Sequence, residues 1–226
     1  RPSDDAIARY STPSVATAPP LRKTWSRGYR SPVKNQMSFI SSHHKLKTSY
    51  GGTLRKRRLG RQQRPLSRKS PLHLVFKAHK SLLKEKSFRG HRSFSLCQRL
   101  IKRYARRFFV RIDQCSIQGD HIHLLIRCSE RFFYQAFFRV LAGQIAQRLQ
   151  KEGLLRLRDS KRVTDTPTKL WMHRPFSRVV VGFKGLVIIK NYIQLNEQEA
   201  RGKIKYNSKR LAGLSADEWA VLWSTS

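Results

Sequence analysis

The stretch that decides the fold is residues 119–126, which read GDHIHLLI. Apolar residues at positions 122, 124 and 126 alternate with the others, and a period of two predicts a β-strand with one apolar face. The same alternation places His121 and His123 together on the opposite face. Two neighbouring imidazoles on a rigid strand are able to hold one divalent metal ion, although such pairs are more often structural. The stretch therefore predicts a strand that carries a candidate metal site.

The segments around this strand follow a regular order. Gly119 and Asp120 form a turn signal, so the strand before them is expected to pair with the histidine strand as a hairpin. The predicted strands are 72–77, 109–118, 120–128 and 170–181, and the predicted helices are 93–108, 131–152 and 183–200. This order predicts an α+β ferredoxin-like sandwich, with an antiparallel sheet and helices on one face.

The composition indicates a polyanionic partner. The 226 residues carry a formal net charge of +35, and no acidic residue occurs between positions 6 and 84. So large a charge repels itself unless a polyanion neutralises it, which favours nucleic acid over an acidic membrane surface. No apolar run is long enough to span a bilayer, and the three cysteines lack Cys-x-x-Cys spacing. These features predict a reduced, intracellular protein that is not a membrane protein.

The chain divides into three predicted parts. Residues 1–70 form a basic, mostly disordered arm, residues 71–202 a folded domain, and residues 203–226 a basic C-terminal tail with a short helix. Arg57 and Arg58 belong to a basic run of the arm that would lie along phosphates. The alternative is a solvated tail that only aids solubility.

A second group of candidate residues lies on the last predicted helix of the domain. Tyr192 and Asn196 are four residues apart, which places both side chains on one helix face. A phenol oxygen is a nucleophile towards phosphorus, and an amide carbonyl oxygen is a hard metal ligand. The alternative is that Tyr192 packs at the edge of the core and Asn196 serves only the end of the helix.

These residues resemble those of the HUH single-tyrosine transposases, and most closely the REP-associated tyrosine transposase branch. That family has His-hydrophobic-His on a strand, here residues 121–123, and Tyr-x-x-x-Asn on a later helix, here residues 192–196. The stretches 51–55, 64–67 and 174–180 also look like parts of one branch of the family. Two departures are visible: Glu197 stands where many relatives have proline, and Asp120 stands where many have asparagine.

The resemblance implies a catalytic mechanism. His121, His123 and Asn196 would bind Mg²⁺ or Mn²⁺, and Tyr192 would attack single-stranded DNA beside a hairpin. The products would be a 5′-phosphotyrosine and a free 3′-OH, and a second 3′-OH could reverse the step and rejoin strands. The resemblance thus implies a strand-transferring endonuclease.

The partners follow from the same resemblance. Arg174, Arg178, Lys184 and Lys190 are predicted phosphate contacts, each with a solvated charge as the alternative. Some relatives are dimers that exchange the tyrosine helix and others are monomers, so a homodimer is one expected state. The expected location is the bacterial cytoplasm, at the nucleoid when DNA is bound.

Two rival functions explain part of the same sequence. A non-catalytic, basic nucleic-acid-binding protein with this fold accounts for the charge and needs no metal. A metal-dependent hydrolase using His121 and His123 would make Tyr192 dispensable, but further Asp and His ligands are not seen close by in the sequence.

Overall fold

The computed structural model describes residues 48–57, 63–156 and 169–224. The predicted strands and helices follow one another in the predicted order, and the structure adds a first strand, Ser49–Tyr50. The strands are β1 Ser49–Tyr50, β2 Leu72–Lys77, β3 Arg111–Ile117, β4 His121–Arg127 and β5 Phe176–Val179. The α-helices are α1 His91–Arg107, α2 Arg131–Lys151, α3 Gly182–Ala200 and α4 Ala216–Trp223, and short 3₁₀ helices cover Gly52–Arg57, Lys80–Leu82 and Arg210–Gly213.

The five strands form one sheet in the order β1-β5-β2-β4-β3, and each neighbouring pair is antiparallel. Strands β2 to β5, with α1 and α2 between them, give the strand–helix–strand–strand–helix–strand order of a ferredoxin-like sandwich. The predicted α+β fold class is therefore confirmed, with β1 as an added edge strand.

The alternation of β4 decides which face of the sheet carries the core. Ile122, Leu124 and Ile126 have no exposed surface and pack in the main core with residues of α1 and α2. Burial of each such side chain contributes about 1.5–3 kcal/mol relative to exposure. His121 and His123 consequently lie on the opposite face, as the sequence predicts.

The third helix differs from the prediction that the helices cover one face. Leu125 lies on the histidine face, where it packs with Val180 and with Ile193 of α3. An apolar residue on that face requires cover, and α3 supplies it. The placement of α3 on the core face was therefore wrong, and the actual placement carries the side chains of α3 across the histidines.

The folded region also begins earlier than residue 71. Ser49 and Tyr50 pair with Arg178 and Ser177 of β5, so part of the expected arm belongs to the sheet. Residues 1–47 and 58–62, including Arg58, lie outside the described residues, and Arg57 ends a 3₁₀ helix. None of the helices in the described ranges combines the length and apolar character needed to cross a bilayer.

The C-terminal tail contains the expected short helix and packs on α3. Ser215 and Glu218 form the predicted capping box of α4, with Ser215 Oγ accepting from the Glu218 backbone N–H. Leu222 of α4 packs with Leu195 of α3 and with Ile204. These contacts hold the tail, with its 3₁₀ helix at 210–213, against the end of α3.

Replacing Tyr134 with phenylalanine should lower the free energy of unfolding by about 1–3 kcal/mol. Tyr134 is fully buried in α2, and its hydroxyl accepts a 2.9 Å hydrogen bond from the backbone N–H of Cys128, just after β4. The substitution leaves that N–H without a partner in the core. Urea denaturation monitored by circular dichroism measures the change.

Tyr104→Phe is the matched control, because Tyr104 is half-buried and its hydroxyl makes no hydrogen bond to the described residues. Equal losses for Tyr134→Phe and Tyr104→Phe would show that the bond to Cys128 contributes nothing specific.

Candidate active site

The two predicted histidines on β4 are held at right angles. The ring centroids of His121 and His123 are 4.7 Å apart, with an interplanar angle of 85°. His121 Nδ1 lies 2.6 Å from Asp120 Oδ1. A proton on Nδ1 satisfies this carboxylate and leaves the lone pair on Nε2, which is the arrangement that orients metal-binding histidines.

A third histidine, which sequence reasoning missed, supports the second one. His73 of β2 stacks against His123 with centroids 5.3 Å apart, and its Nε2 lies 3.0 Å from His123 Nδ1. Both side chains are buried. The alternation of Leu72, Leu74 and Phe76 puts His73 on the histidine face, but only the pairing of β2 with β4 brings the rings together.

Tyr192 reaches this pair from α3 in the same chain. Its ring meets His123 edge-on with centroids 5.7 Å apart, and meets His73 edge-on at 6.4 Å. The turn of α3 that carries Ile193 is fixed by the apolar contact with Leu125. The structure therefore brings the predicted nucleophile and the predicted imidazoles into one site.

Asn196 lies one turn further along α3, with its amide fixed at both ends. Its Nδ2 donates to the Tyr192 carbonyl at 2.6 Å, and its Oδ1 accepts from Arg210 Nη2 at 2.9 Å. Arg210 comes from the C-terminal tail, and its guanidinium also pairs with Glu199 of α3 at 2.9 Å. The guanidinium lies 5.3 Å from the centre of the Tyr192 ring, which places a positive charge beside the phenol.

Glu197, one of the two departures from the family pattern, anchors α3 to the sheet. Its carboxylate accepts hydrogen bonds from Ser116 Oγ at 3.1 Å and from Arg89 at 3.2 Å, and pairs with Arg201 at 2.9 Å. Ser116 is the cross-strand neighbour of His123 in β3. The carboxylate thus fixes the register between the helix of Tyr192 and the strand of the histidines.

The donor atoms suit a divalent metal ion. His123 Nε2 is buried and has no hydrogen-bond partner among the described residues. A buried imidazole nitrogen without a hydrogen bond costs free energy. Donating its lone pair to a cation offsets that cost. In the described part of the chain no three His, Cys, Asp or Glu side chains are grouped for metal binding. An ion here would therefore need oxygen ligands such as Asn196 Oδ1, water and substrate phosphate.

Electrostatics keep the buried histidines neutral. Burial lowers the pKa of His73 to about 4, and the positive charge of Arg178 acts in the same direction. Burial also lowers the pKa of His123 well below its usual value, helped by His73, His121 and Arg210. A neutral imidazole is the form that donates a lone pair, so the surroundings of the site favour a metal ligand over a cationic histidine.

Lowering the pH from about 6.5 to about 4 should destabilise the metal-free protein. Unfolded histidines bind protons in this window, whereas His73 in the folded protein has a pKa lowered from 6.5 to about 4. Its contribution is fully present above the unfolded pKa and is lost as the pH falls towards the folded one. His73→Phe should flatten this loss, as measured by urea denaturation at pH 7, 6, 5 and 4.5.

His91→Gln is the control, because His91 is exposed at the start of α1. An unchanged pH profile in His73→Phe, or an equal flattening in His91→Gln, would contradict the assignment to the buried pair.

The predicted phosphate contacts occupy different places. Arg178 lies on β5 and faces His73, whereas Arg174 lies exposed before β5. Lys184 and Lys190 are exposed on α3. Arg178 is adjacent to His73 on the histidine face, and the roles of all four residues stay predictions.

Comparison with known proteins gives the family. A family model described as an IS200-like transposase matches residues 69–196. A solved REP-associated tyrosine transposase bound to a REP hairpin is 13% identical, with a TM-score of 0.47, over 65% of this chain and 77% of that one. A protein of Deinococcus radiodurans R1 assigned as a transposase is 15% identical, with a TM-score of 0.39, over 60% of this chain and 96% of that one. No curated protein matches the chain.

The assignment rests on the family match, which covers more than half of the chain. The matched segment begins just before β2 and ends at Asn196, so it includes both predicted histidines and Tyr192. The chain belongs to the IS200-like transposase family.

Proposed function

We propose that this transposase cleaves and rejoins single-stranded DNA beside a hairpin through a covalent bond to Tyr192. The observation that carries the proposal is the edge-on approach of the Tyr192 ring to His123, at 5.7 Å between centroids. This contact supports the proposal because the ring that carries the proposed nucleophilic oxygen lies beside imidazoles whose nitrogens suit a phosphate-binding cation.

In the proposed step, the Tyr192 oxygen attacks a backbone phosphorus. The Tyr–O–P bond forms as the bond from phosphorus to the 3′ oxygen breaks. The phenol loses its proton and the departing 3′ oxygen gains one. The phosphodiester energy is kept in the phosphotyrosine, so the 3′-OH of another strand is able to reverse the reaction and join to it.

His121, His123 and Asn196 would hold Mg²⁺ or Mn²⁺ in this site. When bound, the ion supplies positive charge that polarises a non-bridging phosphate oxygen. Asp120 and His73 orient the two imidazoles, and Arg210 and the Tyr192 carbonyl orient the Asn196 amide. Such outer contacts support metal ligands and the approach of the nucleophile.

The proposed substrate follows from the charge and from the branch that the motifs resemble. A net charge of +35 predicts binding that depends steeply on salt. The REP-associated transposase among the solved structures is bound to a REP hairpin. A hairpin with a single-stranded flank is therefore the proposed DNA partner, in the bacterial cytoplasm, with either a monomer or a homodimer as the active species.

The test is incubation of the protein with a labelled hairpin oligonucleotide that carries single-stranded flanks, with Mg²⁺ or Mn²⁺, followed by a denaturing gel. The expected result is a labelled band at the mass of protein plus DNA, which EDTA prevents. A fully paired duplex of the same sequence is the control and should give no adduct. Cleavage without any adduct would contradict the proposal.

A further inference from the structure

Three stretches of the chain meet at the start of β5. These are residues 51–55, 64–67 and 174–180, the same segments that resemble one branch of the family. The Gly52 N–H donates to the Arg174 carbonyl at 3.0 Å, and Arg64 donates to Ser177 Oγ at 2.6 Å and to the Pro175 carbonyl at 2.9 Å. Segments far apart in sequence are thus built into one local structure.

A glycine is required at this junction. Gly51 has a φ of +82°, and a Cβ atom there would overlap the Pro175 carbonyl oxygen. Only glycine combines this backbone conformation with so close an approach. The backbone of the 51–55 stretch is therefore shaped to fit against the start of β5.

An open, basic cavity of about 460 Å³ lies at the junction. That volume lies within the usual range of small-molecule binding sites. Its lining residues carry positive charge or hydrogen-bonding groups, and they are Tyr50, Gln63, Arg64, Arg131, Gln135 and Arg174. Arg131 and Gln135 belong to the first turns of α2.

The positive charge of the cavity has no carboxylate to balance it. Within the described part of the chain, Arg64, Arg131 and Arg174 form no ion pair. Arg64 is held between the rings of Tyr50, at 4.5 Å, and Phe138, at 5.1 Å. Burial, with the charge of Arg174, lowers the pKa of Arg64 to about 10. Arg131 and Arg174 are exposed, so their guanidinium groups, which match a phosphate in geometry, are accessible to an anion.

The cavity lies on the face of the sheet opposite the histidines. Arg64 binds Ser177 of β5 and lies over the ring of Phe138 of α2, and Ser177 pairs with the core residue Leu74 of β2. The cavity is therefore separate from the active site, on the face of the sheet that α2 covers.

We propose that this cavity holds one unpaired nucleotide of the DNA strand, with its phosphate on Arg131 and Arg174 and its base edge on Gln63 and Gln135. Amide side chains offer both a donor and an acceptor, which suits a base edge. A paired nucleotide cannot enter, because its base edge is occupied and its stack is closed. That the bound strand is the one cleaved at Tyr192 rests on the proposed function, whereas the binding of its nucleotide in the cavity does not.

The first test measures affinity against salt by fluorescence anisotropy, with a single-stranded oligonucleotide and with a blunt duplex. Loss of one phosphate contact should reduce the slope of log K against log salt by about 0.7 for the single strand. Arg131→Gln is the test variant, and Arg139→Gln is its control, because Arg139 is exposed two turns further along α2. The proposal requires the change in Arg131→Gln alone, and with the single strand alone.

The second test locates the nucleotide with abasic substitutions, using the same probe and wild-type protein. Removing the base at one position of the oligonucleotide should lower its affinity for the protein about five- to tenfold. In Gln135→Ala, removing the same base should make no difference. An equal change of slope in Arg131→Gln and Arg139→Gln, an equal change with duplex, or the absence of a base-sensitive position would each overturn the proposal. Binding is measured without metal, so a wild-type protein that forms no adduct refutes the proposed function and leaves this test intact.

Discussion

The Tyr192→Phe protein should form no covalent adduct with hairpin DNA and should lose at least about 10³-fold in cleavage rate, while its affinity for the same DNA should change less than about twofold. The substitution removes one oxygen and keeps the ring that contacts His123 and His73. The packing of α3 on Leu125 is untouched. The proposed nucleophile is therefore the single group that the variant lacks.

Tyr206→Phe is the matched control for this result. Arg210 lies 5.3 Å from the ring centre of Tyr192 and 5.1 Å from that of Tyr206, so both phenols share the same neighbouring cation. Tyr206 is exposed, however, and makes no ring contact with the described histidines. The proposal requires Tyr206→Phe to keep full adduct formation.

Three outcomes separate the rival functions. Cleavage by Tyr192→Phe without adduct would indicate a metal-dependent hydrolase that uses His121 and His123. Normal binding with no adduct in the wild-type protein would indicate a nucleic-acid-binding protein derived from the fold. An adduct that persists in Tyr192→Phe would place the nucleophile on a different residue.

Local patterns in the sequence predict most of the fold and part of the site. The alternation in β4 is a property of neighbouring residues, and so is the i, i+4 relation of Tyr192 and Asn196. Both survive in the structure. The prediction that α3 packs on the core face was wrong. The packing of α3 depends on Leu125, an apolar side chain on the otherwise polar face of β4.

His73 could not be predicted as part of the site from its own neighbours. It stands in an apolar strand as a single polar residue, and such a residue is buried or exposed according to its partner strand. The register of β2 on β4 sets its partner, and that register results from pairing across about fifty residues. The signal that could have found it is a buried histidine on a strand predicted to lie beside the histidine strand.

Arg210 and Glu197 show the same limit for charged residues. The sequence shows Glu197 only as a departure from a family pattern, and Arg210 only as one of many cations in the tail. In the structure, the first ties α3 to Ser116 and the second fixes the Asn196 amide. Both roles depend on tertiary placement, which a uniformly basic sequence does not reveal.

Replacing His73 with phenylalanine should weaken Mn²⁺ binding about 10- to 100-fold, the usual effect of losing a partner that orients a metal ligand. For His123 to donate from Nε2, its Nδ1 must carry the proton and give it to an acceptor, and His73 Nε2 lies 3.0 Å away. Phenylalanine keeps the stacked ring and removes that acceptor. Titration followed by the electron paramagnetic resonance signal of free Mn²⁺ measures the affinity without DNA.

His73→Gln distinguishes this role from simple packing. The glutamine carbonyl oxygen is as many bonds from the backbone as Nε2 of histidine, so it restores an acceptor for His123 Nδ1–H while it lacks the ring. If His73 positions His123 through that hydrogen bond, Gln should recover most of the Mn²⁺ affinity that Phe loses. If the stacked ring alone matters, Phe should bind Mn²⁺ like the wild type and Gln should be the weaker variant, and the order of the two affinities therefore decides between them.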